Sequence, residues 1–290
     1  MLDRVKSRYW ALLDRYKLAK YEKELHCVLD RGENLFIVHT PGRSGTMSLF
    51  KTLSATGVNV FQTHHLNPVS IASKCDEYQR NFKGGLPWHL RTAKYLSSKV
   101  INGSYPGRVK ILTSIREPLG RELSAFFMDI EKFHIPGFYK KYLSGVLSVD
   151  EIGETFLQER RYLGDRDNWI DFELNGALGV DVYNAPFDHD KGFVRIIHGN
   201  IEIFIYRLED ADEVLLRVVE EATGVLPDNI IKANISSNDA IKKKVYAEII
   251  PKMSFPPSMI EEIYNTRYCR HFYTKYEIYD FKKRINIRHM

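Results

Sequence analysis

The chain has 290 residues, 44% of them hydrophobic and 27% charged, with a formal net charge of +5 and a pI near 8.9. That is enough apolar material for a substantial core, and the composition excludes a disordered or fibrous chain. The basic bias suits an anionic small ligand but is too weak and too evenly spread along the sequence for a nucleic-acid partner. Three widely spaced cysteines, Cys27, Cys75 and Cys269, form no metal-binding spacing and favour free thiols in a reducing compartment. No signal peptide and no apolar run of 18 residues is present, so a soluble, cytoplasmic protein is expected.

In chain order, residues 1–30 read as an amphipathic helix with Trp10, Leu12, Leu13 and Tyr16 among many basic residues. It is expected to pack on the domain or to make weak membrane-surface contact. After a turn at residues 30–34, Leu35–His39 (LFIVH) is a short buried strand of the kind found in parallel sheets. The loop Thr40-Pro41-Gly42-Arg43-Ser44-Gly45-Thr46 follows, and a helix begins near Ser44 with Leu49, Phe50 and Leu53 on one face. A second strand is expected at 58–61, running into Thr63-His64-His65, and residues 68–85 read as irregular or weakly helical. Then come a helix over 88–100, a third strand over 109–115 closed by Arg116-Glu117-Pro118, and a helix over 119–133. Residues 193–197 and 201–206 read as a hairpin across His198-Gly199-Asn200, and helices dominate beyond Leu208. Strands alternating with helices predict an α/β fold with a central, mostly parallel sheet flanked by helices in three layers, and a helix-rich C-terminal half. The chain reads as one domain: an N-terminal helix (1–30), an α/β core (34–210) and a helical C-terminal part (211–290). The last ten residues carry a small basic cluster.

The strand–loop–helix at 35–53 has the layout of a phosphate site. Gly42 and Gly45 let the backbone approach a ligand, and the helix start adds its positive end. Arg43 supplies a charged fork, and Ser44, Thr46 and Ser48 supply hydroxyls, with Met47 between them. A nucleoside-triphosphate loop needs four residues between its glycines followed by Lys. Here only Arg43 and Ser44 separate Gly42 from Gly45 and no Lys follows, and the third strand ends in Arg116 rather than a Mg²⁺-binding Asp. A kinase or ATPase is disfavoured.

Pro41-Gly42-Arg43-Ser44-Gly45-Thr46 resembles the 5′-phosphosulfate loop of sulfotransferases that use PAPS (3′-phosphoadenosine 5′-phosphosulfate), with Arg in place of the Lys of the cytosolic enzymes. Arg116-Glu117-Pro118, Arg121 and Ser124 are similar to that family's Arg-Asp-Pro-x-x-Arg-x-x-Ser segment, in which the first Arg and the Ser hold the 3′-phosphate. The resemblance implies a P-loop-like fold and sulfuryl transfer from PAPS, leaving PAP, with no metal required. It implies cofactor contacts from Gly42 to Ser48, Arg116 and Ser124. Phe61 to Pro68 resembles the segment carrying the family's catalytic His, which makes His65 the expected base and Arg43 its catalytic partner. His64, or a carboxylate such as Glu173 or Asp171, is the alternative. The blocks around Trp169–Leu174, Gly179–Tyr183, Pro186–Asp188 and His271–Thr274 resemble a bacterial group of capsular polysaccharide synthesis proteins. A saccharide acceptor is therefore expected, with Trp88, Trp169 and Tyr183 suited to stacking on sugar rings. Two other readings stay open: a nucleotide-binding protein of the same fold without transferase activity, and an atypical P-loop kinase.

Overall fold

The computed structural model describes residues 19–20, 22–81, 86–101, 105–160, 168–233 and 240–287. Most of the helix expected over 1–30, the side chain of Trp88, and Arg288 and His289 of the basic tail lie outside the described set. Its centre is a five-stranded sheet of β1 (Leu35–His39), β2 (Val60–Thr63), β3 (Val109–Ile115), β4 (Phe193–His198) and β5 (Ile201–Arg207), in the order β2-β1-β3-β5-β4. The first three strands and β5 run parallel, and β4 closes one edge antiparallel to β5 as the expected hairpin.

Side chains of a strand alternate between faces, and here both faces are covered. Leu35 and Ile37 of β1, Ile111 of β3 and Ile203 and Ile205 of β5 enter one core. It is shared with Leu25 and Val28 of the helical segment α1 (22–31) and with Leu96 of α4 (Trp88–Val100). Leu123 and Phe126 of α5 (Pro118–Asp129) complete that side. Phe36, Val38, Leu112 and Phe204 enter the other core, against Leu49 and Leu53 of α2 (Thr46–Ser54) and Val214 and Val218 of α9 (Ala211–Thr223). Burial on both sides fits the nearly unbroken apolar run of β1 and the mostly apolar sequences of β3 and β5. The fold is mixed α/β with a mostly parallel sheet, as expected.

Three local readings need correction. The second strand begins two residues later than expected, at Val60, so that Thr63 is its last residue and His64 leaves directly from the sheet edge. Residues 68–85, expected to be irregular or weakly helical, carry a full helix, α3 (Pro68–Asn81). Asn67 caps it through its side chain, accepting from Val69 N at 2.9 Å, and Pro68 opens the first turn, where an N–H is not needed. The helix expected over 119–133 ends at Asp129 and gives way to a π-helical turn, Ile130–His134.

The remaining described helices are α6 (Phe138–Leu143), α7 (Val149–Glu159), α8 (Gly176–Leu178), α10 (Ala240–Ile249), α11 (Pro257–Tyr264), α12 (Arg267–Phe272) and α13 (Lys275–Lys283). A second π-helical turn, Ile170–Asn175, leads into α8. A short parallel pair, β6 (Ser254–Phe255) with β7 (Asn286–Ile287), was not expected from the sequence. No described helix is long and apolar enough to cross a membrane.

Candidate functional site

Because β1, β2, β3 and β5 are parallel, the segments that follow them emerge at one edge of the sheet, where open α/β sheets place their ligands. Those segments are the glycine loop, His64–Asn67, Arg116–Glu117 and Leu208–Asp210.

The loop is shaped by its own side chains. Gly45 caps α2 at φ 79° with no side-chain capping bond, so no side chain covers the first-turn N–H groups. A Cβ at Gly45 would stand 2.5 Å from Leu208 Cδ1, and the positive φ disfavours any L side chain there. A Cβ at Gly42 would meet nothing within 4 Å. Ser44 is buried and donates to Pro41 O at 2.6 Å, and the hydroxyls of Thr40 and Thr46 bond at 2.7 Å. Ser114 of β3 donates to Ser44 O from below. Ser48 accepts from Ala233 N at 3.0 Å. These hydroxyls hold the loop and its neighbours, while Met47 follows in the first turn of α2. Donors available to an anion include the backbone N–H groups and the arginines.

The two arginines of the separate motifs meet here. Arg43, the one non-glycine residue with positive φ (71°) among those described, donates from Nε to Ser124 Oγ at 3.1 Å, across 81 residues of chain. Its Nη1 lies 3.0 Å from Met128 Sδ. Arg116 donates from Nη1 to the Arg43 carbonyl at 3.2 Å, and its own backbone is gripped by the Tyr268 hydroxyl. Burial and then the Arg116 charge push the Arg43 guanidinium below its ordinary value, with Asp129 opposing them. Two converging cations beside an uncapped helix start fit an anionic ligand. Glu117, where the family has Asp, caps α5, accepting from Leu119 N at 2.8 Å and Gly120 N at 2.6 Å.

A second cluster lies beside the loop. Nδ1 of His64 donates to the Thr40 carbonyl at 2.8 Å. The ring of His65 turns the other way, as neighbours on an extended segment do, and its Nδ1 lies 3.0 Å from Glu173 Oε1. Glu173, in the π turn and 2% exposed, also accepts from Leu66 N at 2.7 Å, Asn67 N at 2.9 Å and the Ser70 hydroxyl. Burial pushes its carboxyl up, but the bond from His65, the nearby His39 ring and the bonds from Asn67 and Ser70 outweigh this and hold it well below the usual carboxylate range. A carboxylate bound by four donors is fixed as an anion, which keeps the proton on His65 Nδ1 and the lone pair on Nε2. Trp169 donates from Nε1 to His64 O at 3.3 Å.

His39 completes the cluster. Its Nδ1 lies 3.2 Å from Thr63 O and its ring centroid 4.6 Å from that of Trp169, while Nε2 has no hydrogen-bond partner and sits 3.9 Å from Glu173 Oε2. Burial pushes it down to about 4, against the Glu173 charge. His39 is therefore neutral in the folded protein at neutral pH. Unfolding lets it protonate below its ordinary value of 6.5, so stability is full above pH 6.5 and falls as the pH drops toward 4. At pH 5 the expected loss is about 2 kcal/mol. Chemical denaturation at pH 7 and pH 5 should show a loss about that much larger in the wild type than in His39→Gln, since His64, His89 and His271, also pushed down by burial, add to the loss in both.

Asp171 lies elsewhere on the π turn, and Tyr183 lies in the short 3-10 turn Val182–Asn184. The Tyr183 hydroxyl is 3.5 Å from Asp171 Oδ2, and Arg267, paired with Asp181, stacks over the Tyr183 ring at 4.2 Å. Of the side chains expected at the site, Arg43, Arg116 and Ser124 thus converge, as do His64, His65, Trp169 and Glu173, whereas Asp171 and Tyr183 form a separate pair. Ser70, Asn67 and His39 were missed. The Asn67-Pro68 capping signal would have placed Ser70 in the first turn of a helix, near the histidines. Among the described residues, no group of three or more His, Cys, Asp and Glu is arranged to hold a metal.

With this geometry in view, the comparisons with known proteins bear on less than half of the chain. Residues 150–274 match the family described as "NKWYS: Putative capsular polysaccharide synthesis protein". That match contains Glu173, Trp169, Asp171 and Tyr183 but neither the loop nor Arg116, and it points to a role in polysaccharide biosynthesis. No curated protein and no solved structure matches the chain.

Proposed function

We propose that this protein is a PAPS-dependent sulfotransferase of P-loop-like fold that sulfates a saccharide hydroxyl. The observation that carries the reading is the meeting of the two motifs: Arg43 Nε on Ser124 Oγ at 3.1 Å and Arg116 Nη1 on Arg43 O at 3.2 Å. The residues fit a nucleotide with phosphates at both ends of a ribose. The uncapped start of α2 and Arg43 face the 5′ side, and Arg116 and Ser124 the 3′ side. PAPS supplies the sulfuryl group when bound. His65 Nε2 takes the proton of the acceptor hydroxyl as its oxygen bonds to sulfur and the bond from sulfur to the phosphate oxygen breaks. The loop N–H groups and Arg43 meet the charge left on that phosphate. Glu173 keeps the His65 ring in the accepting tautomer and steadies the imidazolium that forms. The match to the capsular polysaccharide family supports a saccharide acceptor.

The test is thermal unfolding with PAP or with ATP and Mg²⁺. PAP at ~100 times its dissociation constant should stabilise the protein by about 2.7 kcal/mol, and ATP with Mg²⁺ much less. Stabilisation by ATP and Mg²⁺ but not by PAP would instead favour a P-loop kinase. Binding of PAP without conversion of PAPS to PAP in an acceptor screen would leave a nucleotide-binding protein.

A further inference from the structure

Two segments far apart in sequence carry an excess of positive charge, and the fold brings them together. Residues 130–146 and 241–252 hold seven lysines and two glutamates, a net +5 that equals the formal charge of the whole chain, so the remainder balances to zero. The evenness read along the sequence is thus broken in space. The Tyr139 and Tyr246 hydroxyls bond at 2.8 Å, and Lys242 Nζ lies 5.8 Å from the Tyr139 ring, joining α6 to α10. The Tyr246 hydroxyl also donates to Phe127 O at 2.8 Å, joining α10 to α5 and the π turn that follows it.

All seven lysines, at 132, 140, 141, 242, 243, 244 and 252, are exposed. The same segments carry exposed apolar side chains, with Phe133 63%, Leu143 59%, Val146 72% and Ile241 57% accessible. Exposed large apolar residues interleaved with lysines are unusual on a surface that meets only water. They match an anionic bilayer interface, where lysines attract lipid phosphates and apolar side chains enter the acyl boundary. A polyanionic glycan or nucleic acid would use the lysines but not these apolar groups. The patch also adjoins the candidate site: Met128, 58% exposed, contacts Arg43, and the Tyr246 hydroxyl bonds the carbonyl of Phe127, the residue before Met128.

We propose that this face, built from the Ile130–His134 turn, α6 with the loop after it, and α10, docks on anionic lipid membranes. It would hold the Arg43 side of the site beside the lipid surface. The docking does not depend on the sulfotransferase reading.

The test is co-sedimentation of the full chain with phosphatidylcholine vesicles, with and without roughly one-third phosphatidylglycerol, which makes the surface anionic. Binding is expected to the anionic vesicles alone and to weaken in high salt. Each lysine near the surface should be worth about fivefold, so Lys140→Glu, Lys141→Glu and Lys243→Glu together should lower partitioning by about 100-fold or more. Phe133→Ser with Leu143→Ser should lower it at least tenfold with all lysines intact. Lys74→Glu with Arg80→Glu, on α3 outside the patch, should have little effect on it. Equal binding by the lysine variant and wild type would overturn the proposal. So would no vesicle binding together with retention on heparin that the serine variant keeps, which would assign the face to a polyanionic saccharide.

Discussion

Replacing Arg116 with alanine is expected to weaken PAP binding by about 2–4 kcal/mol, and binding of adenosine 5′-phosphosulfate, which lacks the 3′-phosphate, far less. Arg116 leaves the carboxyl end of β3, and its backbone is held by the Tyr268 hydroxyl at both N and O, so the side chain can be shortened without moving the strand. Arg43→Ala should weaken both ligands, because Arg43 belongs to the loop that faces the shared 5′ group. Arg43→Gly separates binding from folding. At φ 71° an L-residue is strained, and glycine relieves this at some cost in unfolded-chain entropy, so stability should rise by about 0.5–1 kcal/mol while affinity falls. Isothermal titration and denaturation of the three variants provide the check. Equal losses of both ligands in Arg116→Ala would make Arg116 a support of the fold rather than a ligand to the 3′-phosphate.

For His65→Ala the expected result is a fall in turnover of about 10²–10⁴-fold with PAP affinity almost unchanged. Glu173→Gln should lower turnover comparably, for a different reason. A neutral amide no longer steadies the imidazolium, and with its oxygen on His65 Nδ1 its NH₂ group faces the Leu66 and Asn67 N–H donors that Glu173 now satisfies. That mismatch adds a stability loss of about 1–3 kcal/mol, which His65→Ala should not share in full because the amide bonds to Glu173 remain. Turnover, PAP affinity and unfolding free energy measured on both variants separate the roles. Near-normal turnover in His65→Ala beside an inactive Glu173→Gln would make the carboxylate the base.

What could be read in advance followed from local pattern. Leu35–His39 is a nearly unbroken apolar run and Val109–Ile115 a mostly apolar one, and such segments announce themselves. The loop was legible because glycine, arginine and hydroxyl residues at a helix start have few other uses together. The helix α3 was not, because its sequence is polar and only the Asn67-Pro68 cap marks it. The link between His65 and Glu173 lay further out of reach, since the two are 108 residues apart and nothing local to either names the other. As separate candidates for one role they looked like rivals, whereas in the fold they are hydrogen-bonded partners. The hydroxyls of Ser44 and Ser48 show the reverse difficulty, because a serine that holds a loop and one that holds a ligand look alike in sequence.

The bond network around Glu173 also sets an order of events at the ribosome. The Leu66 and Asn67 amides and His65 are synthesised more than a hundred residues before the carboxylate that satisfies them. At bacterial-to-eukaryotic elongation speeds of ~5–20 residues per second, that gap is roughly 5–20 s. For that interval the nascent chain can make the β1–β2 ladder and the glycine loop but not the anchored histidine. The His65–Glu173 bond is therefore closed by the second half of the polypeptide, after the glycine loop and the Arg116 segment have already been made.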